Sequence, residues 1–124
     1  MGAYRQRIGR RGEEIAAAYL EEQGFEIVER NWRWRHGEID LVARDGEEWV
    51  LVEVRLLRDP EGDWTPEATL TRRKWRQMLR NARVFLHQRW GDREPPPWRI
   101  DFVGIVLDRR GEVTSLVHLR GIWR

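Results

Sequence analysis

Two periodicities alternate along the chain and divide it into elements. From about Ile8 to Gln23 apolar positions, among them Ile8, Ile15, Tyr19 and neighbouring Ala and Leu residues, recur at helical spacing, and Gly24 stands as the C-terminal stop. Phe25 to Asn31 predicts a first strand that continues raggedly into Trp32 and Trp34. Ile39-Asp40-Leu41-Val42 and Trp49-Val50-Leu51-Val52 alternate with period two on either side of Asp45-Gly46, a strong two-residue turn signal, and predict a hairpin. Leu56 to Pro66 reads as the longest loop. Thr71 can cap a second helix whose apolar positions Trp75, Met78, Leu79, Ala82, Phe85 and Leu86 follow the i, i+3, i+4, i+7 pattern. After Gly91 and the extended Pro95-Pro96-Pro97 run, Trp98 to Asp108 and Val113 to Leu119 predict two more strands. The order αβββαβ with an extra C-terminal strand fits an α/β domain, a mixed β-sheet flanked by helices.

The hairpin brings chemistry with it. With the turn at Asp45-Gly46 alone, Asp40 lies opposite Leu51 and diagonal to Glu53; with a loop two residues longer, Asp40 lies directly opposite Glu53. Either register puts both carboxylates on one face, with Cβ atoms about 5 to 8 Å apart. Arg55 shares that face, and Ile39, Leu41, Val50, Val52 and Val54 make up the other. Two carboxylates so close repel unless a cation lies between them, either a bound metal or the Arg55 guanidinium. The alternative is an ordinary solvated or Arg-neutralised face, since half-buried antiparallel strands carry their charges on the open side.

The order of pieces along nearly the whole chain adds to this. Gly9 through Gly12-Glu13-Glu14-Ile15-Ala16, Tyr19-Leu20, Gly24-Phe25, Asn31 with Arg33, Gly37-Glu38-Ile39-Asp40-Leu41, Val52-Glu53-Val54, Lys74, Ala82 and Arg99-Ile100-Asp101-Phe102-Val103 resemble the bacterial YraN-like family. That family is placed in the PD-(D/E)XK, restriction-endonuclease-like nuclease superfamily. The resemblance implies a restriction-endonuclease-like fold and a metal-dependent nuclease that hydrolyses phosphodiester bonds in DNA, in repair or recombination. It further implies that Asp40 and Glu53 bind Mg²⁺ or Mn²⁺ with the main-chain carbonyl of Val54, that Glu13 reaches the site from the first helix, and that a cation two residues after Glu53 assists. Here that cation is Arg55 where the family has Lys. An Arg keeps its proton at any working pH, so Arg55 can supply charge and donors but cannot act as a base. A non-catalytic nucleic-acid-binding module that keeps the nuclease fold is the alternative.

Composition bounds the reading. A chain of 124 residues suits one domain, 1–124, with a single modest core. The net charge is only +2 although the pI is near 9.6, so polyanion binding must come from local segregation of charge. No cysteine is present, which excludes thiolate metal sites and leaves oxygen or His nitrogen as ligands, and the hard oxygens of Asp40 and Glu53 favour Mg²⁺ or Mn²⁺ over zinc. No apolar run is long enough for a membrane span or a signal peptide, and a cytoplasmic protein is the expectation. Related folds often work as homodimers, but the sequence specifies no interface.

Segregated charge is present in two places. Arg72, Arg73, Arg76, Arg80 and Arg83 occupy polar positions of the second helix with Lys74 beside them, and Thr71 to Trp90 contains no Asp or Glu. Unpaired like charges at i, i+4 destabilise a helix, so the stripe needs either a phosphate backbone or acids such as Asp59, Glu61, Asp63 and Glu67 folded over it. Arg30 to His36 is a second basic cluster, in which Arg33 and Arg35 can grip phosphate while Trp32 and Trp34 either stack on bases or pack in the core. His36 could serve as ligand or turn residue, and His87 and His118 have no acidic companions at ligand spacing. Asp101 is expected to be structural, paired with an Arg. Lys74, the one Lys among 23 basic residues, could present its ammonium to the cleft if the second helix packs beside the sheet.

Overall fold

Five strands form one sheet in the computed structural model, which describes residues 2–123, with side chains from 9 to 122. The elements are α1 (Gly2–Glu22), β1 (Glu26–Trp34), β2 (Gly37–Asp45), β3 (Glu48–Arg58), a short 3-10 turn (Pro66–Thr69), α2 (Arg72–Trp90), β4 (Trp98–Leu107) and β5 (Val113–Trp123). Their order is the expected one. The packing expected of Ile8 lies outside the described side chains, and α1 begins earlier than the apolar pattern suggested because the polar run before Gly9 continues the helix. The loop predicted over 56–66 begins later than expected, β3 holding its pairing with β4 to Arg58. β5 likewise runs past Leu119 to Trp123.

The strands lie in the order β1-β2-β3-β4-β5, antiparallel except for β3 and β4, which run parallel. A parallel pair needs a long crossover, and α2 supplies it. Alternation then gives each face its own core. Ala16, Ala17 and Leu20 of α1 pack on Leu41, Ala43, Val50, Val52, Val103 and Ile105. Met78, Ala82, Phe85 and Leu86 of α2 pack on Trp32, Val42, Leu51 and Ile100. Ile39, expected on the face with Leu41, joins the α2 side instead, at the point where β2 parts from β3.

The hairpin turn sits one residue later than the Asp45-Gly46 signal placed it. Asp45 pairs with Glu48, so Gly46 and Glu47 are the central residues, and Gly46 takes φ 65. Glycine with positive φ at the first central position is what a type II′ turn requires. Sliding the turn by one residue moves the register by two, which preserves the faces. Leu41 pairs with Val52, so the next position in line sets Asp40 against Glu53.

A buried ion cluster fixes that register from the side. Arg99 of β4, 4% exposed at its side chain, donates to Glu48 Oε1 at 2.5 Å, Asp45 Oδ2 at 3.2 Å and Asp101 Oδ1 at 2.9 Å, so it ties the closing pair of the turn to the neighbouring strand. Asp101 is fully buried and also accepts from the Gly121 N–H at 2.8 Å. His118 Nε2 lies 2.8 Å from Asp101 and its Nδ1 3.2 Å from the Tyr19 hydroxyl, which joins α1 to β4 and β5. Asp101 is thus structural and Arg-paired as expected, whereas His118 gains the acidic companion that its spacing denied it. Burial alone would raise the Asp101 pKa, but the hydrogen bonds from His118 and Arg99 outweigh it and hold the carboxyl below its usual range.

Removing one partner of a buried ion pair leaves the other uncompensated. Arg99→Met should therefore lower unfolding free energy by about 3 to 5 kcal/mol in urea titrations at pH 7. Because the folded pKa of Asp101 is depressed, the stability it lends is present above the unfolded pKa and lost as pH falls, so the gap between Arg99→Met and the native chain should narrow in acid. A cost within about 0.5 kcal/mol at pH 7 would mean the cluster does not hold the hairpin.

Candidate active site

The β2–β3 ladder stops at Leu41 and Val52, and the strands part beyond it. Asp40 Oδ2 accepts the Val54 N–H at 2.8 Å, so a carboxylate takes the place of a ladder carbonyl. The N–H and C=O of one strand residue point to the same side, so the Val54 carbonyl faces the same gap. Asp40 is 9% exposed, and the Glu53 side chain 14%. Lys74 reaches across from the first turn of α2, its Nζ 2.7 Å from Glu53 Oε1. That turn is started by Thr71, whose hydroxyl accepts the Lys74 N–H at 3.1 Å.

The acids repel one another where water is scarce. Burial first, and then the Glu53 charge, push the Asp40 carboxyl up to about 8, with Glu13 and Glu38 adding to the rise and the Val54 N–H opposing it. Glu53 is likewise raised by burial, against the lowering effect of Lys74 and, more weakly, Arg55. Glu13 is half-buried and raised by burial, with Asn31 and Asp40 as hydrogen-bond partners that offset it. Asn31 sits at φ 53, a left-handed conformation that Asn tolerates. Of the acids expected at the site, Asp40 stands between the other two, close enough to feel the charge of Glu53 on one side and of Glu13 on the other, with Glu38 a further acid nearby.

Arg55 lies on the face of Glu53 as expected. Glu53, Arg55, Thr69, Leu70, Lys74 and Phe102 line an open hollow of about 190 Å³, room for several waters at about 30 Å³ each. Asp40 is not on its wall, so Glu53 divides the acid pair from a space that carries two cations. The donors are those of a hard divalent ion, two carboxylates near enough for the charge of one to raise the other and a main-chain carbonyl on the side of Asp40. Among the described residues no three acidic or histidine side chains converge on a single point, so waters would complete the coordination and Glu13 stands in an outer position.

An amide clamp fixes α2 over this gap. The buried Asn81 donates to the Glu38 carbonyl at 2.9 Å and accepts from Trp34 Nε1 at 2.8 Å and Gln77 Nε2 at 3.1 Å, while Gln77 also donates to the His36 carbonyl at 3.1 Å. Gly37 is required here, since a Cβ would overlap the Asn81 amide. Sequence reasoning missed both residues. The signal was Asn81 itself, a lone amide inside the apolar stripe of α2.

The clamp also merges the two basic clusters. Arg80 lies over the Trp34 ring, 5.2 Å from its centroid, which brings the stripe of α2 beside the end of β1. Arg72, Arg73, Arg76, Arg80 and Arg83 are exposed, and among the described residues none forms an ion pair, nor do Asp59, Glu61, Asp63 or Glu67 cover them. Arg35 is exposed, whereas Arg33 pairs with Glu38 at 3.3 Å. Of the two readings open for Trp32 and Trp34, core packing holds for Trp32, buried edge-on to Phe85, while Trp34 is half-buried with its Nε1 on Asn81 and Arg80 over its ring.

The chain belongs to Uncharacterised protein family UPF0102, whose model matches residues 12–105 and therefore spans every acid of the site. A UPF0102 protein of Streptomyces griseus is 44% identical over 117 residues, covering 93% of this chain and 94% of the relative. One of Beutenbergia cavernae is 42% identical over 115 residues, with the same coverage of 93% and 94%. A more distant relative from Carboxydothermus hydrogenoformans is 38% identical over 101 residues, 82% of this chain and 83% of its own. No described helix is long and apolar enough to cross a membrane.

A carboxyl held near 8 in the fold against 3.8 ordinarily means that raising the pH ionises the unfolded chain before the folded one. Native stability therefore falls as pH rises through that window and levels off above it. Asp40→Asn keeps an acceptor for the Val54 N–H and removes the charge. It should be more stable than the native chain by on the order of 1 to 2 kcal/mol at pH 8.5, with the difference vanishing near pH 4, in metal-free denaturant melts. A difference that did not change with pH would show that Asp40 carries no such burden.

Proposed function

We propose that this UPF0102 member is a metal-dependent phosphodiesterase of restriction-endonuclease-like fold that acts on nucleic acid, DNA foremost. One observation carries the reading: a buried carboxylate, Asp40, beside a half-buried one, Glu53, on parting strands, with the Lys74 ammonium 2.7 Å from the second. A structural ion pair would need one acid, whereas Asp40 lies within the field of Glu53, Glu13 and Glu38. The element order and mixed sheet support membership of the PD-(D/E)XK superfamily, and the exposed, uncovered Arg stripe supports a polyanionic substrate.

Asp40, Glu53 and the Val54 carbonyl would hold Mg²⁺ or Mn²⁺, which supplies charge neutralisation at the scissile phosphate and a lowered pKa for the attacking water. Glu13 accepts hydrogen bonds from waters at the rim. Lys74 and Arg55 flank the hollow beside Glu53 and receive the phosphate oxygens there. The two cations are not equivalent. An ammonium can rotate its donors between Glu53, water and phosphate and can release a proton, which a guanidinium cannot. Lys74, arriving from α2, therefore takes the part that the strand Lys has in the resembling family, and Arg55 contributes charge. A non-catalytic binding module is favoured over this only by the Arg at position 55.

Cleavage of labelled DNA in Mg²⁺ or Mn²⁺ tests the reading. Asp40→Asn and Glu53→Gln should abolish it together with the heat of Mn²⁺ binding, and Lys74→Ala should lower the rate at least about 100-fold while sparing Mn²⁺ affinity, as expected for a group that stabilises only the transition state. Arg55→Lys should keep activity. If the native protein and Arg55→Lys both leave duplex, single-stranded and branched DNA and RNA intact, the binding module replaces the enzyme.

Binding is tested separately through salt. Replacing Arg76, Arg80 and Arg83 with Gln should lessen the slope of log K against log salt by up to about 3 if each neutralises one phosphate. An unchanged slope would mean that the stripe faces something other than a phosphate backbone.

A further inference from the structure

The geometry points to a site that takes the end of a polynucleotide strand, admitted from the β1 and α2 side and turned back on the β4 side by an anchored acidic loop. For the reaction it rests on the phosphodiesterase reading, but for the direction it rests on charge placement alone. The sheet order sets β1 and β4 on opposite sides of the gap between β2 and β3. On the β1 side lie exposed Arg35 and the flank of α2, with Arg80 held over Trp34. Consecutive i, i+4 positions Arg72, Arg76 and Arg80 repeat every 6 Å or so along the helix axis, a spacing on the scale of successive phosphates.

The β4 side is different. From Asp59 to Leu70 the chain contains four acids and no base, and Asp59, Glu61 and Asp63 are exposed. This segment is not free to swing away. The Asp59 N–H donates to the Leu107 carbonyl at 2.7 Å, and Pro66 is buried against Gly104, where no Cβ would fit. Among the described residues Asp59, Glu61 and Asp63 form no ion pair, although Arg55, Arg109 and Arg110 are exposed nearby. Arg58 alternates away from Glu53 and Arg55, and its guanidinium is engaged with the Arg109 carbonyl at 2.9 Å. β5 offers only Val117 and Leu119 beside Gly104 and Phe102.

The acidic segment returns along β4, with Pro66 on Gly104, the partner of Arg55 in the β3–β4 register, and ends at Thr69 and Leu70 on the wall of the hollow beside Glu53. A strand that continued further on this side would carry its phosphates against the acids. A strand that ended would not, and its last base would meet Trp64, whose indole is 58% exposed at the loop and can stack on any base. Exposure of a large aromatic in a segment that repels phosphate suits a terminal base better than a continuous backbone.

The test compares a linear 40-nucleotide single-stranded DNA with the same sequence closed into a circle, using the full chain without divalent metal so that binding is read apart from cleavage. The linear strand should bind at least five-fold more tightly by fluorescence anisotropy. Combining Asp59→Asn, Glu61→Gln and Asp63→Asn, all exposed positions, should bring the circle to within two-fold of the linear strand by raising the affinity of the circle, with the melting temperature unchanged. Equal affinities in the native protein would overturn the proposal, as would a triple variant that left the ratio untouched. With Mn²⁺ added, the linear strand should release short products from its end, and a circle cut as fast would also overturn it. If neither DNA is cut while the linear preference persists, end recognition stands and the enzymatic reading falls.

Discussion

Two carboxylates, Asp40 and Glu53, are held side by side at a place where burial and mutual repulsion both disfavour their charge. A folded chain left to itself would turn such groups outward. Here β2 and β3 are kept in a register that prevents it, and three separate devices maintain that register. Arg99 grips the two residues that close the hairpin turn, Asn81 fastens α2 to the other end of β2, and the Val54 N–H occupies Asp40 where the ladder stops. Each device buries a polar group that is satisfied only in the native arrangement, so each penalises any slip of the strands.

α2 carries three duties that a single helix can combine because its faces are distinct. It crosses over between the parallel strands, its amide-bearing edge clamps the β1–β2 turn, and its outer face holds arginines without acidic partners. The position of Lys74 follows from the same placement. A helix capped by Thr71 and beginning at Arg72 sets its third residue, Lys74, over the acid, so an ammonium can be delivered from α2 to a site where the strand offers a guanidinium.

Much of this was legible in the chain. The hairpin, the pairing of its acids on one face, the capped α2 and the basic stripe follow from period and charge, because local patterns determine them. What stayed hidden depends on contacts between distant segments. His118 lies seventeen residues from Asp101 and was unreadable as its partner, since only the β4–β5 register brings them together. Nothing local marks the partners of Asn81, since Trp34 and Glu38 lie more than forty residues away. The turn was misplaced by one residue because Asp45-Gly46 is a signal for a turn with two left-handed residues, whereas the Arg99 contacts select the pair Asp45 and Glu48 and leave only Gly46 left-handed. The chance that an error of this kind spares the site is high, since a slid turn shifts pairing by an even number.

Replacement of nearly every lysine by arginine has left the molecule with a single side-chain amine, and that amine rests on Glu53. Isotopic labelling of lysine would accordingly yield one side-chain resonance, free of overlap, positioned against the acid pair. Its chemical shift and exchange with solvent would register ionisation of the carboxylates, arrival of a divalent cation and approach of a polyanion as three distinguishable events, in a protein whose surface otherwise contributes no signal of that type.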